Sequence, residues 1–202
     1  MIRDTIDAPD VLGLRRPAKD FYEHRALDLA PRLLGMILAH VTPEGLTAGR
    51  ITETEAYEGP EDRACHAFGG RRTARTEVMF GPPGFAYVYF TYGMHWLFNV
   101  VASREGTPHA VLVRSLEPTT GLDLMERRRG GMLPLAEGPG RMAQAMAISR
   151  SDNGKDLTGG DLFIAFPPEG MAYPVDYRVT KRIGVENSGE ARDYPWRFVE
   201  AK

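Results

Sequence analysis

The segment Ile51-Thr-Glu-Thr-Glu-Ala-Tyr57 spaces two carboxylates and a phenol at intervals of two residues. In an extended strand Ile51, Glu53, Glu55 and Tyr57 share one face, and Thr52, Thr54 and Ala56 the other. Such a wall suits a cleft in which a carboxylate acts as general base, and equally the solvated face of an edge strand. A second segment, Tyr87-Val-Tyr-Phe-Thr-Tyr-Gly-Met94, packs four aromatics into six residues and closes on a Tyr-Gly pair. Gly93 takes the positive φ that a tight turn needs. Read as core, Tyr87 and Tyr89 line one layer and Val88 and Phe90 another. Read as a nucleobase platform, the aromatic faces stack on bases, and Tyr92 projects from the turn as a wedge. Upstream, Arg63, Arg71, Arg72, Thr73 and Arg75 form a basic loop able to hold phosphates or simply to be solvated. Asn99 and Arg114 interrupt apolar runs, where a polar group must be paired if buried. His66 is a loop histidine, and Gly138-Pro139-Gly140-Arg141 offers backbone amides to a phosphate at a helix start.

These residues need a scaffold, and the hydrophobic pattern supplies one. Asp20 reads as the cap of a helix with its apolar stripe on Phe21, Ala26, Leu29, Ala30, Leu33 and Leu34, ended by Gly35; Pro31 makes two short helices the alternative. Strand-like runs follow at Met36–Val41, Leu46–Tyr57, Phe85–Tyr92, Trp96–Ala102, Ala110–Leu116 and Asp161–Phe166, with late ones at Asp176–Ile183 and Trp196–Val199. Further helices are expected over Thr120–Arg129 and Arg141–Ile148. The long Gly59–Pro83 loop points to function or to short helical turns. Strands in runs without regular helical crossovers predict an α+β domain on a largely antiparallel sheet. A loose arm over residues 1–18 and one domain over 19–202 complete the expected organisation.

The 202 residues carry a formal charge of −2, unevenly spread: −5 over residues 1–62, +5 over 63–150 and −2 over 151–202. All eleven basic residues of the middle block are Arg, whose planar fork suits phosphate oxygens, although genomic base composition favours Arg too. No run of eighteen apolar residues is present, and the acidic N-terminus does not resemble a secretory leader. With a single cysteine and no metal-ligand spacing, the expectation is a cytoplasmic protein with neither disulfide, metal nor cofactor. A divalent-metal nuclease built on Glu53, Glu55, Glu61 and Asp62 remains an alternative from the residues alone, as do a non-catalytic nucleic-acid-binding module and an RNA-binding domain.

The strings ITETEAYEGPEDRACHAFGGRRTAR, EVMFGPPGFAYVYFTYGMHWLFNVV, AVLVRSLEP, EGPGRMAQAMAI and KRIGV resemble, in order, the alkyladenine (3-methyladenine) DNA glycosylases of the non-helix-hairpin-helix type. That resemblance implies a single mixed domain around a curved antiparallel sheet with a DNA-inserting β-hairpin. It implies a monofunctional base-flipping hydrolase acting as a monomer on double-stranded DNA that contains damaged purines, and nucleoid-associated through that binding. By the same resemblance Glu55 is the general base and Arg114 its neighbour near the attacking water. Tyr57, His66, Tyr89 and Asn99 hold the flipped base. Tyr92 and Met94 intercalate, and Arg71, Thr73 and Arg141 contact phosphates. Cys65, where Ser is commoner, and Phe85, where His is expected, depart from the pattern.

Overall fold

A computed structural model describes residues 12–201. The helices are α1 (Ala26–Leu33), α2 (Leu122–Arg128) and α3 (Pro139–Ala145). The strands are β1 (Ile37–Thr42), β2 (Gly45–Glu58), β3 (Ala86–Thr91), β4 (His95–Ala102), β5 (His109–Thr120), β6 (Leu162–Ala165), β7 (Tyr177–Thr180) and β8 (Arg197–Glu200). All pairings are antiparallel, in the order β3-β4-β5-β2-β1-β6, with β8 bridging β2 to β7. The sheet curls as a half-barrel, and the expected α+β class holds. Its concave core gathers Leu29, Leu33 and Leu34 with Phe98, Val111, Val113, Met142 and Met146. Among the described residues no helix is long and apolar enough to cross a membrane.

Several boundaries differ from the sequence reading for local reasons. Asp20 caps no long helix: Lys19–Tyr22 is a separate 3-10 turn, and α1 begins at Ala26, where the Glu58 carboxylate accepts the Leu27 N–H at 3.1 Å. Pro31 stays inside α1, since near its end the ring removes only one helical hydrogen bond. β5 runs through Thr120, and α2 starts after Gly121, whose φ of 73° and 2.3 Å approach of a built Cβ to the Leu46 carbonyl admit only glycine. α3 opens at Pro139, the position where a missing N–H costs nothing, and ends before Ile148. β7 stops at Thr180, which frees Ile183 from the sheet. The Gly59–Pro83 stretch holds two 3-10 turns, Phe68–Gly70 and Glu77–Phe80. Of the expected N-terminal arm, residues 1–11 lie outside the described residues. Leu12 and Leu14 pack on the sheet beside Phe163, and the Arg15 carbonyl accepts the Phe166 N–H at 2.9 Å.

The most consequential departure lies in β2. Its pairing with β5 shifts register between Ile51 and Glu53 and again between Glu53 and Thr54. A bulge at Thr52 turns Ile51 into the main core with Ala56, so Ile51 does not share a face with Glu53 and Glu55. Thr54, on the core side, donates to the Ala30 carbonyl at 2.9 Å. Beyond the bulge lies the polar half of β2, where Thr54 and Ala56 turn to the core and Glu53, Glu55 and Tyr57 take the opposite face.

Candidate active site

The polar half of β2 places Glu55 without accessible surface at the junction of three elements. Its Oε1 accepts the Ile183 N–H at 2.9 Å and lies 3.3 Å from Arg114 Nη1 of β5, while Oε2 accepts the Tyr57 hydroxyl at 2.8 Å. Burial raises the Glu55 pKa, and Arg114, the Ile183 amide and Tyr57 oppose that rise by favouring the charged form. Burial works against the Arg114 charge, but Glu55 and Glu53 outweigh it and raise its pKa. A fully buried carboxylate met by an arginine, a backbone amide and a phenol is a candidate functional group rather than a surface charge.

Above this junction opens a cavity of about 290 Å³, lined by Tyr57, His66, Tyr87, Tyr89, Asn99 and Arg114 together with Tyr92, Pro139 and Ile183. The rings of Tyr87 and Tyr89 lie 5.3 Å apart, and His66 meets Tyr89 edge-on at 4.6 Å. His66 Nδ1 is 2.9 Å from the Tyr87 hydroxyl and Nε2 is 3.4 Å from Arg75. Because Arg75 only donates, Nε2 accepts, and Nδ1–H donates to the Tyr87 oxygen in the neutral ring. Burial, aided by Arg75, pushes the His66 pKa down to about 4 and keeps that ring neutral. Asn99 Nδ2 donates to the Tyr87 carbonyl at 3.1 Å, which fixes the amide and turns its oxygen to other contacts. Tyr57, Tyr89, His66, Asn99, Glu55 and Arg114 therefore converge from five separate segments.

The hairpin β3–β4 ends at the cavity mouth. Tyr92 (φ 52°) and Gly93 (φ 69°) are both left-handed, and the Met94 N–H closes the turn on the Thr91 carbonyl at 3.2 Å. This is the type I′ geometry that fits strand twist, with tyrosine where asparagine is the comfortable residue. Tyr92 is 81% exposed and Met94 67%. Phe90 and Trp96 pair across the hairpin at 4.8 Å and stiffen it. Arg71 and Thr73 lie exposed on the loop beside the cavity, and Arg141 lies exposed in the first turn of α3, next to Pro139. None of these three lines the cavity.

Behind Tyr57 the guanidinium of Arg182 is sandwiched, 4.7 Å from the Tyr57 ring and 4.9 Å from that of Trp196. It pairs bidentately with Asp62 at 2.5 and 2.8 Å and donates to the Ala56 carbonyl at 2.8 Å. The carboxylates of the nuclease reading are thereby separated, Asp62 to Arg182 and Glu55 to Arg114. Among the described residues no group of three or more His, Cys, Asp or Glu is arranged to hold a metal ion. The resemblance assigns no site role to Tyr87, Arg75, Arg182 or the Ile183 amide, although the sequence reading names Tyr87 in the aromatic segment and Arg75 in the basic loop. Tyr87 was findable, since it alternates with Tyr89 on one strand face; a backbone N–H brought from over a hundred residues away carries no such signal.

A model of the methylpurine-DNA glycosylase family matches residues 20–202. The chain belongs to this family. It is 43% identical over 195 residues to a protein of Desulfitobacterium hafniense, covering 92% of this chain and 95% of that one. It is 49% identical over 181 residues to a protein of Bacillus licheniformis (89% and 90% covered) and 47% identical over 182 to one of Bacillus subtilis (88% and 89%). All three are provisionally named 3-methyladenine DNA glycosylases. In this methylpurine-DNA glycosylase family member the matched span takes in every element that builds the cavity, from α1 to β8.

Proposed function

We propose that the chain is a DNA-repair glycosylase that flips alkylated or deaminated purines out of duplex DNA and hydrolyses the N-glycosidic bond, leaving an abasic site. The observation that carries this reading is Glu55, buried directly behind Tyr57 and Arg114, which line an aromatic cavity whose mouth bears an exposed tyrosine. A base inside the stack is out of reach, so it must be extruded, at a cost of a few kcal/mol that is smaller for a damaged pair. Tyr92 fills the vacated step with Met94 beside it, while Arg71, Thr73 and Arg141 hold phosphates. The extruded purine enters between Tyr57, Tyr89 and His66, and Asn99 reads its edge. An alkylated ring carries positive charge, which the faces of Tyr57 and Tyr89 favour.

Departure of the base leaves positive charge on the sugar. The Glu55 carboxylate stabilises that charge and takes a proton from the attacking water, with Arg114 holding the carboxylate in place. In the free protein Tyr57, Arg114 and Ile183 cover Glu55. Water reaches it as the Tyr57 hydroxyl gives up Oε2 on base entry, while Arg114 stays on Oε1. Among the described residues no lysine lines the cavity, so no Schiff base forms with the sugar and the strand stays intact. One copy of the chain acts on each lesion.

The test is single-turnover release of free base from duplexes bearing single lesions, in excess chelator, for the native chain and Glu55→Gln. The native chain is expected to release base and leave an unbroken abasic strand. Glu55→Gln loses about 10²-fold or more, the share typical of general-base catalysis, while still binding the lesion. Strand cleavage, or loss of activity in chelator, would refute the reading.

A further inference from the structure

One charged group at the site has no part in the reaction above. Glu53 sits two residues before the base, outside the aromatic cavity, yet its carboxylate accepts three side-chain hydrogen bonds, two of them from arginines. Oε1 accepts Arg114 Nε at 2.7 Å and Arg197 Nε at 2.6 Å. Oε2 accepts the Ser115 hydroxyl at 2.9 Å, and the Ser115 oxygen in turn accepts the Gly138 N–H at 3.1 Å, at the start of α3. Arg114 is thus bound more closely to Glu53 than to Glu55, at 2.7 Å against 3.3 Å. An arginine pinned by its Nε has one remaining orientation in the plane of its fork, and here that orientation turns Nη1 toward Glu55.

We propose that Glu53 is a positioning residue for the glycosylase reaction: it fixes the Arg114 guanidinium and absorbs part of its charge, so that Glu55 is oriented by Arg114 without being quenched as a base. This rests on Glu55 being that base. The charged and titratable groups facing Glu55 are Glu53 and Tyr57 from β2, Arg114 from β5, Tyr89 from β3 and Arg182 after β7. Arg197 of β8 acts through Glu53. Two arginines and two glutamates make this inner set neutral when Glu55 is ionised. Repulsion from Glu53 is among the causes that raise the Glu55 pKa.

The signs follow directly. Glu53→Gln removes a negative charge beside Glu55 and releases Arg114 onto it. The ionised form of Glu55 is favoured, so the acid limb of the pH–rate profile moves to lower pH. The weaker base also lowers the plateau, by about tenfold as a part of the general-base contribution. Arg197→Gln leaves the Glu53 charge less compensated and moves the limb the opposite way, to higher pH. The experiment is the pH profile of single-turnover base release at saturating enzyme for the native chain, Glu53→Gln, Arg197→Gln and Glu55→Gln, each checked by thermal melting and lesion-duplex anisotropy. Opposite displacements of the acid limb by the two outer variants support the inference. A Glu53→Gln profile superimposed on the native one overturns it, as do plateau losses with the limb unmoved, which would indicate general loosening. Native-rate excision by Glu55→Gln would instead strike the assignment of the base itself.

Discussion

Replacing Tyr92 by Asn sets stability against function, because the residue costs the fold something and returns nothing to it. At 81% exposure the ring buries little area, so its removal forfeits almost no hydrophobic stabilisation. Its φ of 52°, by contrast, places a bulky side chain in the left-handed region, at a cost of about 1 kcal/mol relative to asparagine. Tyr92→Asn keeps the type I′ turn with Gly93 and relieves that cost. A gain of about 1 kcal/mol in a domain of this size raises Tm by roughly 2–4 °C. The other half of the argument concerns the duplex. An aromatic ring stacked on bases is worth about 1–3 kcal/mol. Without it the extruded state weakens by roughly 5- to 150-fold, because the vacated step can refill. Differential scanning calorimetry and single-turnover excision read the two effects separately, with Tyr92→Phe as the variant that retains both the strain and the stacking. A more stable Tyr92→Asn protein that excises at the native rate would refute the wedge. A less stable one would show that the ring packs against the fold after all.

Two further predictions concern buried charge. Asp62→Asn strips the Arg182 guanidinium of its bidentate partner in a site where both side chains have no accessible surface. The unpaired buried charge should cost about 3–5 kcal/mol, read as a shift in the urea midpoint at constant m-value, and a midpoint within error of native would contradict the pairing. His66, held at a pKa of about 4 against an ordinary 6.5, takes its proton later than the unfolded chain as the pH falls. Stability should therefore decline from pH 6.5 toward pH 4, with this residue accounting for roughly 2–3 kcal/mol at the lower end. His66→Gln, which does not titrate, should lose correspondingly less, and equal declines in both proteins would show that the ring is not buried neutral.

Much of the scaffold could be read from periodicity, because its strands are apolar runs bounded by Gly, Pro and Asp. The hairpin is the clearest case: alternation through Tyr87 and Tyr89 and the Tyr92-Gly93 pair announce both strands and their turn. The alternation rule failed at Thr52, where a bulge moved Ile51 to the opposite face. A bulge is set by the pairing with β5, which no single segment encodes. The surroundings of Glu53 and Glu55 diverge for the same kind of reason. The two residues look alike in the sequence, and only the arrival of Arg197 from β8 and the Ile183 amide from beyond β7 tells them apart. The family strings singled out Glu55 and Arg114, which the fold brings within 3.3 Å of one another; the web around them is tertiary throughout.

The exposed tyrosine and one wall of the cavity are carried by a single ribbon: Tyr87 and Tyr89 on β3, Asn99 on β4, and Tyr92 where the two strands meet. Under the proposed function, the probe that enters the duplex and the chamber that receives the base form a rigid gauge of fixed length. Lengthening the ribbon by two residues in each strand would carry the probe about 7 Å further from the chamber and leave the inward and outward faces as they are. Adding a single residue to one strand would exchange those faces and turn the chamber's lining outward. Variation along this hairpin is thus confined to whole pairs, and reach can change only in steps of about two base-pair rises.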